Sequence, residues 1–254
     1  ENRALPDGFT ENMILKAPSS DVMNKLARSV LVSYSYDRNP DDLSLKNVLR
    51  QSIELIARFP TMAAYGYQAK SHYFDGRSLY IHRPDKDLGT AENLLHMMRP
   101  DGSFTTLESE TLDLALVLHA EHGGGNNSTF TTHVVSSTGT DTYSAIAAAV
   151  GSLKGPLHGG ANHMVKEMMS DIKAQVKDWK DEEEVASYLA RILRKETFDR
   201  QGLIYGVGHA VYTLSDPRAI LLREKARELA SAKGRAEEFD LYRTVDRLAP
   251  DVFQ

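Results

Sequence analysis

The spacing of apolar residues constrains this chain more than any other feature. Hydrophobic residues recur at intervals of three and four, and no run alternates with the period of two that a half-buried strand needs. Val22, Met23, Leu26, Val30 and Leu31 fall on one helical face. Leu45, Val48, Leu49, Ser52, Ile53 and Ile56 form a second such set, and Val185, Tyr188, Leu189, Ile192 and Leu193 a third. The pattern predicts an all-α protein of many helices.

Helix ends are marked by capping and breaking residues. Phe9-Thr10, after the turn Pro6-Asp7-Gly8, opens a short helix, and Ser19-Ser20-Asp21 starts the next. Asn39-Pro40-Asp41-Asp42 reads as turn and cap. Pro60 predicts a break followed by a separate helix from Met62 to about His72, because proline lacks an N–H and crowds the preceding turn. Gly76 to Gly89 reads as a solvated basic loop. Thr90 caps a helix to Met98, and Thr105 or Thr106 opens a strongly apolar one that the Gly123–Gly125 run stops. Asp141 caps an alanine-rich core helix ended by Lys154-Gly155-Pro156. Asp181 and Glu184 read as a capping-box-like pair, and Asp216 with Pro217 opens a helix that Ala232-Lys233-Gly234-Arg235 ends. Phe239, Leu241, Tyr242, Val245 and Leu248 predict one more.

Composition narrows the function. The formal net charge of −5 argues against general nucleic-acid binding, which needs a concentrated basic face. There is no cysteine, so disulfides and thiolate chemistry are excluded. No apolar run approaches the length that spans a bilayer, and a cytoplasmic location is the default expectation.

Chemistry concentrates between Leu118 and Arg218, in three histidine clusters set in or beside glycine-rich turns. These are His119-Ala-Glu-His122-Gly-Gly-Gly-Asn126, Gly155-Pro-Leu-His158-Gly-Gly-Ala-Asn162 and Gly206-Val-Gly-His209-Ala-Val-Tyr-Thr-Leu-Ser-Asp216-Pro-Arg218. Glycine lets backbone approach a ligand closely. Histidines that move protons and an arginine that clamps a carboxylate suit a small anionic substrate with a reactive carbonyl. His119 and His122, three apart, invite a metal reading, but no further ligand lies at a standard spacing, so no metal site is expected. His133 reads as structural. His158 stands just before a helix that begins near Ala161, where the dipole disfavours imidazolium and a neutral ring can donate to an enolate oxygen. A satisfied turn histidine is the competing reading from the residues alone. Gly206-Val207-Gly208 is no dinucleotide fingerprint, for it lacks the third glycine and the surrounding strand–helix unit.

In this order the three clusters resemble the citrate synthase family, the third from end to end, and the resemblance runs from about Leu5 to at least Arg223. It implies a citrate synthase-like multi-helical fold, with a large helical domain over 1–157 and a smaller one over 158–254. It implies condensation of acetyl-CoA with oxaloacetate to citrate and coenzyme A. His158 and His209 are then catalytic: the first stabilises the enol or enolate, the second polarises the ketone. His122, Asn126 and Arg218 bind the dicarboxylate, leaving His119 a core or supporting residue. Tyr205, Gly206, Val207 and Gly208 lie against the coenzyme. No permanently bound cofactor is implied, only acyl-CoA as co-substrate, and helices of the alanine-rich region meet their mates in a homodimer. The resemblance also implies an aspartate base in an Asn-Val-Asp motif. No such motif occurs here, and neither Asp246 nor Asp251 sits in one. The chain is therefore expected to be an internal fragment, inactive as it stands. Two rival readings remain: 2-methylcitrate synthase, which uses propionyl-CoA, and a catalytically incomplete helical or dimerisation module.

Overall fold

A computed structural model describes residues 2–121, 123–155, 161–207 and 216–252. Every regular element among the described residues is helical, so the all-α expectation holds. The chain divides into two compact units, Glu1–Gly155 and Pro156–Gln254.

The first unit opens with a π-helical turn, Thr10–Leu15, and continues through α1 (Val22–Ser33), α2 (Leu45–Tyr73), α3 (Thr90–Met98), α4 (Thr106–His119), α5 (Asn127–Ser136) and α6 (Thr142–Leu153). The capping chemistry read from sequence sets most starts. Asp21 accepts from the Asn24 N–H, Asp141 from the Ser144 N–H, and Thr105 and Glu108 close a reciprocal box at α4. Helix α3 begins one residue earlier in its logic than expected. Gly89 is its cap, and the Glu92 carboxylate takes the Gly89 N–H at 2.6 Å, so Thr90 is already helical. The core gathers Phe9, Ile14, Val30, Met62, Met97 and Tyr143.

Helix α2 corrects two expectations. It runs unbroken through Pro60. The carbonyl that loses its partner is that of Ile56, whose side chain is 73% exposed, so the missing bond lies on the water side and costs little. The stripe Leu45, Leu49, Ile53 and Ile56, expected to pack, is exposed, while Asn47 and Gln51 are buried. Polar demand decides the rotation. Asn47 Nδ2 donates to the carbonyls of Asn39 and Asp42, and Gln51 Nε2 donates to Asp37 and to the Pro40 carbonyl. Turning the leucines inward would leave that buried turn unsatisfied.

Asp37 is the hub of this arrangement. Its side chain is 3% exposed. Its carboxylate accepts from the Asn39 N–H at 3.0 Å, the Tyr143 hydroxyl at 2.7 Å, Arg50 at 2.8 Å and Gln51 at 3.0 Å. Burial opposes ionisation, but these four donors outweigh it and hold the carboxyl far below its usual range. Gln51 in turn accepts from Thr142 at 2.6 Å, so α2 and the start of α6 are tied twice.

Helix α4 ends at His119, before the glycines, and its buried residues are Glu108 and Ser109 near its start. Val117, in the run expected to pack, is 62% exposed. His119 is exposed as well, its Nδ1 donating to the Ala115 carbonyl at 2.6 Å, so of the core and supporting roles expected of it the core one is excluded.

The second unit comprises α7 (Ala161–Gln175), α8 (Glu182–Leu193), α9 (Pro217–Ala232) and α10 (Ala236–Val252). Met168, Ile172, Val185, Leu189, Ile192 and Leu241 form its core. Asp181 caps α8, but no box closes: Glu184 accepts instead from the N–H groups of Lys177 and Asp178 and pins the preceding loop. Asp216 caps α9 with Pro217 in its first turn, as read from sequence.

Two outcomes follow from the first unit. Asp37→Ala leaves four donors without their acceptor and should cost about 3 kcal/mol, read by denaturant unfolding. Lys25 is 1% exposed and donates to the carbonyls of Met13 and Ala17. Burial, with Arg28 nearby, lowers its pKa from 10.5 to about 8. Below pH 8 it is charged folded and unfolded alike, and the burial penalty is constant. Between pH 8 and 10.5 only the unfolded chain keeps the proton, so stability rises with pH. The wild-type minus Lys25→Met difference in unfolding free energy should climb across that window and stay flat below it.

Candidate functional site

Each unit carries part of the residue set read from sequence. His122, His158, Gly208 and His209 lie outside the described residues. Asn126 belongs to the first unit, where it is the N-cap of α5. Its Oδ1 accepts from the Ser128 N–H at 2.9 Å and from the Ser128 hydroxyl at 2.7 Å. That bond fixes the side chain and commits its oxygen, leaving the amide nitrogen as the group it can offer a ligand.

In the second unit Tyr205, Gly206 and Val207 lie together along one wall of a cleft of about 260 Å³. Met168, Met169 and Phe239 make the cleft apolar, and Arg223 and Arg243 stand at its polar side. Arg223 is engaged by Asp246 at 2.8 Å. An apolar wall beside guanidinium groups suits an amphipathic anion. Ala219, in the first turn of α9, also lines the cleft, so the structure brings that turn beside the Tyr205–Val207 segment.

Gly206 has φ +83°, and a Cβ built there would meet Val165 Cγ2 at 2.9 Å. Both the backbone conformation and the close approach to α7 demand glycine. The Tyr205 hydroxyl donates to Asp199 at 2.5 Å, and this bond to a carboxylate raises the phenol's pKa.

Arg218 is one residue before Ala219. Its Nη2 donates to Asp216 Oδ2 at 2.6 Å, its Nε to Oδ1 at 3.0 Å, and its N–H to Oδ1 at 2.9 Å. The carboxylate that caps the helix therefore also sets the guanidinium plane. Sequence reasoning placed Arg218 in this turn but missed its Asp216 clamp. It also missed Arg223, Arg243 and Asp199 as neighbours of the segment. The spacing of Phe239, Tyr242 and Asp246 on α10 was the one signal for that wall of the cleft.

Comparison with known proteins adds a family signal over all 254 residues: the model described as "Citrate synthase, C-terminal domain" matches residues 1–254. A citrate synthase of Deinococcus radiodurans is 34% identical over 253 residues, covering 98% of this chain and 61% of that protein. A 2-methylcitrate synthase of Shewanella oneidensis is 37% identical over 180 residues, 71% of this chain and 43% of that protein. The crystal structure of citrate synthase from Pyrobaculum aerophilum superimposes with a TM-score of 0.76 at 30% identity, covering 97% of this chain and 59% of that one. The chain thus spans about 60% of the length of the first of these relatives.

The Gly206 geometry has a direct test. Gly206→Ala should lower stability by about 1–3 kcal/mol through left-handed strain and the clash with α7. Adding Val165→Ala should relieve the clash and leave the strain; because Val165 packs on the core, a cycle that includes the Val165→Ala single variant, read by chemical denaturation, separates the two contributions.

Proposed function

The chain belongs to the citrate synthase family, and from that premise we propose that the whole protein condenses acetyl-CoA with oxaloacetate to citrate and coenzyme A. The observation that carries the reading is the family match along the whole chain, joined to the three histidine clusters in their order.

The proposed chemistry assigns each group one task. A carboxylate base takes a proton from the methyl carbon of acetyl-CoA. The family resemblance puts that base in an Asn-Val-Asp motif that these residues do not contain. His158 donates a hydrogen bond to the enolate oxygen as charge develops there. The enolate carbon attacks the ketone carbon of oxaloacetate, and the ketone oxygen, polarised by His209, becomes a hydroxyl. Water then cleaves the thioester, releasing coenzyme A as the free thiol. His122, Asn126 and Arg218 hold the dicarboxylate. Arg218 is suited to this by the plane that Asp216 imposes on it. Tyr205, Gly206, Val207 and Gly208 contact the coenzyme, a reading supported by the apolar, arginine-flanked cleft that the first three line. Acyl-CoA is a co-substrate, with no resident cofactor. A homodimer is supported by Phe130 and Val134, one turn apart on α5 and 63% and 50% exposed.

The second reading is 2-methylcitrate synthesis from propionyl-CoA, favoured by the relative of that name. One methylene separates the two substrates, worth roughly 1–3 kcal/mol in a fitted pocket. Thiol release from acetyl-CoA and propionyl-CoA, each with oxaloacetate, ranks them.

Calorimetric titration with oxaloacetate tests the dicarboxylate site without requiring turnover. We expect saturable binding to the chain and its loss in His209→Ala. Equal binding by both proteins removes His209 from the site, and no binding to the unmutated chain favours an incomplete helical module instead.

A further inference from the structure

Asp199 lies outside the motifs that carry the proposed chemistry, yet the chain bends sharply to present it. Phe198 and Arg200, on either side of it, have φ of 54° and 58°. Left-handed backbone at non-glycine residues is costly and persists only where surrounding contacts hold it. Here the contacts converge on Tyr205. Asp199 Oδ1 accepts from the Gln201 N–H at 3.0 Å, which fixes the carboxylate, and Oδ2 accepts from the Tyr205 hydroxyl at 2.5 Å. The Phe198 ring meets the Tyr205 ring edge to face, with centroids 6.1 Å apart and planes at 83°. Tyr205 is thus held at its hydroxyl by Asp199 and at its ring by Phe198, the residue before Asp199.

The residues around Tyr205 turn this grip into a constraint on the cleft. Ile204 is buried in the core of the second unit. Gly206 rests against Val165 with no room for a Cβ. Tyr205 lies between these two fixed points, and its side chain forms part of the cleft wall. A free Tyr205 would let the wall move and the glycine turn shift off α7.

We propose that Asp199 is a positioning residue for acyl-CoA: by holding Tyr205 it sets the path of the Tyr205–Val207 segment without touching the ligand itself. This rests on the reading of that segment as coenzyme-binding. The bond to the carboxylate also raises the Tyr205 phenol above its ordinary pKa.

Amide hydrogen exchange and coenzyme A titration on the full chain test it, using Asp199→Ala, Asp199→Asn, Tyr205→Phe and the Asp199→Ala/Tyr205→Phe double variant. Amides of residues 203–207 should exchange about tenfold faster in the alanine and phenylalanine variants. Asp199→Asn, whose oxygen can keep the Gln201 N–H while its amide nitrogen donates to the Tyr205 hydroxyl oxygen, should restore most of the protection. Coenzyme A affinity should fall about tenfold in either single variant and no further in the double, since both remove the same bond. Oxaloacetate affinity should not change, whereas general unfolding would lower both. Unaltered exchange overturns the grip on Tyr205, whatever coenzyme A does. Faster exchange with unchanged coenzyme A affinity makes Asp199 purely structural and overturns its role in binding. If the unmutated chain binds no coenzyme A, the coenzyme reading of the segment fails and the positioning role falls with it.

Discussion

One buried carboxylate sets the geometry of the first unit. Asp37 follows the end of α1, receives Arg50 and Gln51 from α2, and receives Tyr143 from the first turn of α6. Three helices that could slide on apolar contacts alone are thereby fixed in register. Apolar burial is non-directional, whereas a desolvated carboxylate tolerates few arrangements of its donors. The same requirement explains why α2 turns leucines to water. The rotation that would bury Leu45 and Leu49 would remove Asn47 and Gln51 from the carbonyls and carboxylate they satisfy.

The second unit solves a different problem, which is to hold a glycine-rich segment still. Glycine permits the close approach of Gly206 to Val165 but supplies no side chain to anchor the turn. Anchoring comes from the flanks. Ile204 is buried on one side, and Tyr205 is bound through Asp199 and Phe198. The backbone bend that presents Asp199 is the conformational cost of this arrangement. A similar economy appears at Asp216, where one carboxylate caps α9 and orients Arg218.

Much of the helix layout was legible because capping is local. Asp21, Thr105, Asp141, Asp181 and Asp216 each bond an N–H two or three residues ahead, so the signal and its effect lie within one turn. Errors arose where distant groups compete. Pro60 carries a strong local instruction to stop, but the helix on both sides is held by contacts that a single missing bond does not outweigh. Glu184 has the spacing of a capping box, yet the N–H groups of Lys177 and Asp178 are nearer claims on its carboxylate. His119 has an apolar sequence neighbourhood, but the helix end that carries it is exposed.

The sequence by itself determined the helical class, most helix starts and the family, because periodicity, caps and glycine–histidine motifs are written in contiguous residues. Tertiary structure alone decided which face of α2 is buried, how Arg218 is oriented and what surrounds Tyr205. Those outcomes depend on which side chains meet once the backbone is folded: Arg218 finds Asp216 two residues away, Tyr205 finds Asp199 six away, and Tyr143 finds Asp37 106 residues away. Asp37 and Tyr143 are the plainest case: no local pattern links them, and the burial of both makes their bond obligatory.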